Sequence, residues 1–328
     1  MGIALQQSPQ VFVGPRDFDW GQDQAAIVAL VGRYFSDFNG NGFYPHPDEA
    51  ALQRELLAVP SLRYLQRYIA GAEARGLVIT GLGLAGLEEA PRNAVLYAIA
   101  LTLGFPTSTD QRTQRVAWDI RARPGSAQKS SFVTFSERVG SADMHTDSSF
   151  YPMPEEQFLL YVVTAARCGG GASLLIGVDD IYAELQRTEA GRTACALLFK
   201  TPLPFRVPSV YAASDEQVEI EMAPVFERHG AQLTMRWRYD SLLKGLAARP
   251  ALDTPAVRAA LELLHEVIEL RAPRFSQQLP DDTLLWANNR RSLHGRADYT
   301  DPARHLIRIR IADTPNAERI GPSGISAD

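Results

Sequence analysis

Met144-His145-Thr146-Asp147 sets an imidazole and a carboxylate two residues apart. On an extended segment, residues i and i+2 project from the same face, so both side chains reach one metal ion. A third donor must come from elsewhere. His294, in Asn289-Arg290-Arg291-Ser292-Leu293-His294-Gly295-Arg296, is the candidate. Two imidazoles and one carboxylate leave open coordination positions opposite them, the donor set of mononuclear non-haem Fe(II) oxygenases. Zinc accepts the same three ligands and keeps a site for water, so a zinc hydrolase competes with that reading. So does a binding protein that holds metal without turnover. H-x-D alone is weak, and six histidines make a distant partner easy to find. His46 in a Pro-flanked loop, His229 in a charged turn and His265 on a helix read as structural.

Beyond His294 the segment Arg304–Ile311 alternates. Arg304, Leu306, Arg308 and Arg310 share one face, and His305, Ile307, Ile309 and Ile311 the other. The isoleucine face is a core face. Alternation alone would leave the arginines in solvent. The alternative puts Arg304 and Arg308 in the mouth of a barrel, where a planar guanidinium fork binds a carboxylate through two hydrogen bonds.

These groups must be carried by a scaffold. The chain has 328 residues, 45% of them hydrophobic, enough for a sizeable core in one large domain or two ordinary ones. The N-terminal third reads as helical over 25–38, 48–59, 61–74 and 93–103, with a short strand at Leu77–Thr80. From about Arg115 short Val-, Ile-, Phe- and Tyr-rich runs follow one another: 116–120, 131–135, 158–164, 173–176, 217–221, 232–237, 283–286 and 306–311. Many short strands at this spacing predict a sandwich or barrel. One helix interrupts them, capped by Thr254 with Pro255 at its first position. We find no repeat and no linker. The expected organisation is a single domain over 1–328, mainly β with surrounding helices: a helical part to about 110 and a β core over about 111–315.

Bulk charge excludes some classes. A net charge of −5 with no basic run argues against nucleic acid as a partner. The longest mostly apolar run, 94–105, is far short of the ~20 residues of a membrane helix. The opening residues lack the basic and apolar regions of a signal peptide. Two cysteines, Cys168 and Cys195, suit a reducing cytoplasm better than a disulfide framework.

Gly81-Leu-Gly83-Leu-Ala-Gly86 after the strand Leu77–Thr80 imitates a dinucleotide fingerprint. Glu88 and Glu89 follow at once, and two acids are unwelcome beside a pyrophosphate. Repeated βαβ units do not follow, and Gly104–Asp110 reads as loop. A structural turn is the better reading.

Five ordered segments resemble the taurine dioxygenase/clavaminate synthase superfamily of Fe(II)/2-oxoglutarate oxygenases. Gly76-Leu-Val-Ile-Thr-Gly81-Leu82 is similar to its early glycine-flanked strand, and His145-Thr-Asp147-Ser-Ser-Phe150 to its H-T-[DE] motif. Gly169-Gly-Gly-Ala-Ser173 is similar to its G-G-x-[TS] segment, Asn289–Arg296 to its N-R-x-x-x-H-G-R stretch, and Arg304-His-Leu-Ile-Arg308 to its R-x-x-x-R ending. The resemblance implies a double-stranded β-helix (jelly-roll) core, with Fe(II) on His145, Asp147 and His294. It implies conversion of 2-oxoglutarate and O2 to succinate and CO2, coupled to hydroxylation or desaturation of an unactivated C–H bond. It gives the distal 2-oxoglutarate carboxylate to Arg304 with help from Ser173, and sets Arg308 nearer the substrate or the keto-acid end. Halogenases of the family carry Gly or Ala where Asp147 stands. Taurine-type members carry Asn four residues before the first metal histidine; Ser141 stands there, which argues against a sulfonate substrate. Phe150, Arg121 and Arg236, with Tyr151 and Arg238, are candidates to line a pocket for a small polar molecule such as an amino acid or biosynthetic intermediate.

Overall fold

The computed structural model describes residues 11–35, 45–72, 74–108, 115–122, 135–209, 211 and 218–319. Its architecture is mixed α/β with several antiparallel sheets. A seven-stranded sheet runs in the order Val11–Arg16, Gly76–Thr80, Thr283–Asn288, Gln157–Thr164, His305–Ala312 and Phe105–Thr107, and Trp118–Arg121 also pairs with His305–Ala312. Its pairings are antiparallel except that of the first two strands. A four-stranded antiparallel sheet has the order Phe275–Gln277, Ser173–Gly177, Ser292–Arg296, Ala142–His145.

The two sheets share a core. Phe158, Val162, Leu285, Ala287 and Leu306 of the large sheet pack with Leu175 and Phe275 of the small one. On the other face of the large sheet, Ile307, Ile309 and Ile311 join Tyr161 and Trp286 against the helices Asp23–Tyr34, Glu49–Leu56, Pro60–Gly71 and Glu89–Leu103. Each buried isoleucine contributes about 1.5–3 kcal/mol. A one-residue slip would put arginines into that apolar layer, so the isoleucines fix which way Arg304, Arg308 and Arg310 face. That way is inward: all three arginines are buried.

The structure corrects several expectations. Among the described residues, the second half holds four α-helices, not one: Val178–Gln186, Glu189–Lys200 and Tyr239–Ala248 precede the expected Pro255–Glu266. They build a second apolar core, with Ile181, Leu185, Leu198, Leu242 and Leu261 buried around Trp237. The i, i+4 pair Ile181/Leu185 was legible as a helix face, but short β-like runs on either side masked it. The expected loop at Gly104–Asp110 contains the strand Phe105–Thr107, which pairs with the end of His305–Ala312. The expected strand 131–135 lies outside the described residues except for Phe135, which opens a 3-10 turn; residues 36–38, 73, 109–110 and 217 of the expected elements also lie outside them.

The glycine-rich turn after Gly76–Thr80 binds an anion of its own chain. The Gly83 and Leu84 amides donate to the Asp282 carboxylate at 2.7 and 2.9 Å. The Tyr161 hydroxyl donates to the same group at 2.8 Å. A side-chain carboxylate thus occupies the place a phosphate would need.

Candidate active site

His145 ends the strand Ala142–His145, and His294 stands directly opposite it on Ser292–Arg296. Antiparallel pairing therefore brings the two imidazoles together, with ring centroids 4.4 Å apart. Asp147 lies two residues beyond the strand end, where pairing no longer positions it. Asn289, on the turn before Ser292–Arg296, takes over. Its side-chain oxygen accepts from the Asp147 amide at 2.7 Å, and its nitrogen donates to the carbonyls of Asp147 and Glu155 at 3.1 and 2.8 Å. The turn that crosses from the seven-stranded to the four-stranded sheet and the strand after it thus supply both the brace for Asp147 and His294.

The donor atoms of His145, Asp147 and His294 lie within 4.8 Å of one another. His145 Nε2 is 3.9 Å from Asp147 Oδ1, and His294 Nε2 is 3.7 Å from Asp147 Oδ2. The hydrogen bond between His145 Nδ1 and the Asp143 carbonyl, at 2.8 Å, requires the ring nitrogen to donate, which leaves Nε2 as a lone-pair donor. Asp147 Oδ2 and His294 Nε2 are buried without a hydrogen-bond partner. Orphaned acceptors converging on one point are costly unless a cation joins them. The residues fit a divalent metal, and the donor set is that of a non-haem Fe(II) centre.

Burial and the surrounding charges keep the donors in the forms a metal needs. Burial, followed by the charge of Arg238, lowers His145 to about 4. Burial and the neighbouring His145 push His294 well below the ordinary imidazole value. Burial alone would raise the Asp147 carboxyl, but Arg308 and Arg310 overcome it and hold the group well below the carboxylate range. Arg308 donates to Asp147 Oδ1 at 2.9 Å and Arg310 at 3.2 Å.

A cavity opens from this cluster between the sheets. Ile120, Phe158, Leu160 and Leu306 form its apolar wall, and Ser173, Arg296, Arg304, Arg308, Tyr211 and Arg238 its polar one. Arg304 is buried, with its guanidinium carbon 5.0 Å from the centre of the Tyr299 ring. Its Nη1 has no hydrogen-bond partner. Burial, then the charge of Arg296, lowers it to about 10, so it stays cationic at neutral pH. Gly171, at φ +77°, explains the glycine run before Ser173. A Cβ there would meet Arg304 Nε at 3.2 Å and Tyr299 Cβ at 3.3 Å, so the loop seats the arginine by close backbone approach.

The other candidates fall elsewhere. Arg236 faces a separate groove, and its Nη1 and Nη2 donate to the carbonyls of Tyr151 and Pro152 at 2.9 and 3.2 Å. It braces the turn beyond Asp147 from outside the cavity. Arg121 is half exposed beside Asp119. Phe150 is buried one layer back, stacked on Tyr211 with centroids 5.6 Å apart and 5.9 Å from the Arg238 guanidinium carbon. Tyr211, Asn289 and Tyr299 were not singled out from sequence. Asn289 lies inside the Asn289–Arg296 motif; Tyr211 follows Pro-Ser-Val in sequence, with no pattern to mark it.

Comparison with known proteins agrees with this geometry. The profile of the family described as "Taurine catabolism dioxygenase TauD, TfdA family" matches residues 64–310. No curated protein matches the chain significantly. Among solved structures, asparagine oxygenase in complex with Fe(II), 2S,3S-3-hydroxyasparagine and succinate is similar with a TM-score of 0.68 at 18% identity, over 92% of this chain and 93% of that one. The non-heme iron oxygenase OrfP with Fe and alpha-ketoglutaric acid is similar with a TM-score of 0.65 at 16% identity, over 96% and 99%. OrfP in complex with Fe, succinate and (3S)-hydroxy-L-Arg gives 0.61 at 15%, over 94% and 95%. With three quarters of its length matched by the family profile and a His-Asp-His cluster in place, the chain belongs to the TauD/TfdA family of Fe(II)- and 2-oxoglutarate-dependent dioxygenases.

Proposed function

We propose that this enzyme hydroxylates or desaturates an unactivated C–H bond of a free amino acid or an amino-acid-derived biosynthetic intermediate. The observation that carries the site assignment is the pair of buried, unpartnered atoms Asp147 Oδ2 and His294 Nε2, 3.7 Å apart and beside His145. Bound there, iron supplies O2 activation with 2-oxoglutarate as the electron source. The protein's groups do the rest. His145, Asp147 and His294 hold the metal from one side. Arg304 receives the distal carboxylate of 2-oxoglutarate through its unpartnered Nη1, with Ser173 beside it. The apolar wall of Phe158, Leu160 and Leu306 excludes water from the reacting centre.

Arg308 and Arg238 line the same cavity and are the groups that orient a carboxylate-bearing substrate. The amino-acid class is supported by the structural neighbours, whose complexes hold hydroxyasparagine and hydroxyarginine. Asp147 fills the position that family halogenases leave to a small residue, which favours oxygenation over halogenation. The shared core of the two sheets supports reading them as the walls of a double-stranded β-helix, and the helices packed on the large sheet support a single domain. No described helix is long and apolar enough to cross a membrane. Both cysteines are free, which suits a reducing cytoplasm.

The test is aerobic consumption of 2-oxoglutarate with Fe(II) against a panel of the proteinogenic amino acids and their small derivatives. Succinate formed in step with a substrate product 16 mass units heavier, or 2 lighter, supports the reading. Substrate-independent turnover across the whole panel speaks against the amino-acid class.

A further inference from the structure

Two arginines, two residues apart on one strand, meet one oxygen of Asp147. Arg308 lines the cavity; Arg310 does not. Arg310 is 2% exposed and reaches Asp147 Oδ1 with Nη2 at 3.2 Å, while its Nη1 donates to Ser148 Oγ at 3.0 Å. Ser148 follows Asp147 directly and has a left-handed backbone, φ 56°. One guanidinium therefore grips both the carboxylate and the turn that carries it. Arg308 donates to Asp147 from Nη1 at 2.9 Å. Asp147 Oδ2 receives no hydrogen bond at all.

We infer that Arg310 is the positioning residue that fixes Asp147 as a one-oxygen metal ligand, holding Oδ1 back and Oδ2 forward. The argument is geometric. A carboxylate with one oxygen held by two cations and the other bare cannot rotate to present both oxygens without breaking two charge-assisted bonds in a dry site. A planar fork spanning a side chain and its neighbour's hydroxyl does this better than a point charge. Outer groups that orient metal ligands change metal affinity by ~10–100-fold when removed. The inference rests on the reading of His145, Asp147 and His294 as the metal site.

The experiment titrates the apoprotein with Co(II) alone, by calorimetry and visible absorption, in the parent and in Arg310→Met, Arg310→Lys, Arg308→Met and His294→Ala. Thermal melting checks that each variant is folded. Arg310→Met should bind Co(II) ~10–100-fold more weakly. Its d–d absorption should weaken as the released carboxylate binds through both oxygens and the coordination number rises. Arg310→Lys should fall between parent and Arg310→Met, and Arg308→Met should lose less affinity than Arg310→Met. Parent-like affinity and spectrum in Arg310→Met overturn the inference; should that variant not fold, the same result in Arg310→Lys does so. A larger loss in Arg308→Met than in Arg310→Met also overturns it. If His294→Ala binds Co(II) as the parent does, the metal-site reading fails and takes the inference with it. Loss in His294→Ala beside parent-like Arg310 variants sinks the inference alone.

Discussion

Arg304, just before the strand His305–Ala312, and Arg308 within it stand four residues apart, yet Arg308 is bonded to Asp147 at 2.9 Å whereas Arg304 Nη1 ends without a partner. Four residues of strand span roughly 13 Å. The two guanidiniums therefore serve separate parts of the cavity: Arg304 beside Ser173 and Tyr299, Arg308 beside the metal ligands. Arg304 Nη1 is a buried terminal nitrogen not already committed to a carboxylate, and that is where an incoming carboxylate gains most.

Arg304→Lys keeps the charge and loses the fork. It should raise the Michaelis constant for 2-oxoglutarate strongly, an effect of about 2–5 kcal/mol for a desolvated charge pair, while leaving metal affinity within about twofold of the parent. Arg308→Lys should instead disturb primary-substrate binding or the coupling of 2-oxoglutarate consumption to product. Steady-state kinetics on both variants decides the matter; the reverse pattern would make Arg308 the anchor.

The metal assignment predicts that replacing His145, Asp147 or His294 by Ala sharply lowers Fe(II) affinity, because the three donors converge within 4.8 Å. His305→Ala is the control. His305 bonds Asp119 at 2.7 Å and lies outside the donor cluster, so its loss should spare metal binding. Anaerobic Fe(II) titration reads all four. Parent-like binding and turnover in His294→Ala would refute the assignment.

Much of this site is legible in the sequence. His145 and Asp147 are near in sequence, so the i, i+2 rule suffices. His294 needed a distant motif, and the strand pairing that sets it opposite His145 has no local signature. The arginine face of His305–Ala312 was ambiguous because period-two alternation does not say which face meets water. The inward answer came from the helices on the isoleucine side. Arg236 shows the opposite failure. It is two residues from Arg238, and yet Arg236 faces the outer groove and Arg238 the cavity. The extended run ends at Met235, so alternation carries no information beyond it.

Cys168 supplies a pH prediction. It is exposed on the loop before Ser173, and backbone amides, Thr300 first and then Gly170, lower its thiol to about 7. A lowered thiol pKa means the nucleophilic thiolate forms at lower pH. Alkylation by iodoacetamide should therefore reach half its maximal rate near pH 7 and level off above it. Cys195 is buried, and burial raises its thiol, so it should stay unmodified until the protein is denatured. Mass spectrometry should find one adduct on the native protein and two on the unfolded one. A midpoint near 9 at Cys168 would contradict the prediction.

Asn289 offers the most direct test of how the fold holds the site. It is completely buried and makes three hydrogen bonds: one accepted from the Asp147 amide and two donated to carbonyls of Asp147 and Glu155. Asn289→Ala leaves those backbone groups unpaired in a site closed to water. Each orphaned group costs about 1–3 kcal/mol, partly recovered by relaxation, so a total loss on the order of 2–4 kcal/mol is expected. A purely structural asparagine would show only that. Here the lost bonds also fix where Asp147 stands relative to His145 and His294, so metal affinity should fall as well. Ligand binding stabilises the folded state by RT ln(1 + [L]/Kd), so at one Co(II) concentration the tighter binder gains more. Saturating Co(II) should therefore raise the melting temperature of the parent more than that of Asn289→Ala. Urea unfolding of the apoproteins gives the first effect and melting with and without Co(II) the second. If stability falls while the Co(II)-induced shift stays the same as in the parent, Asn289 supports the turn but does not place the ligand.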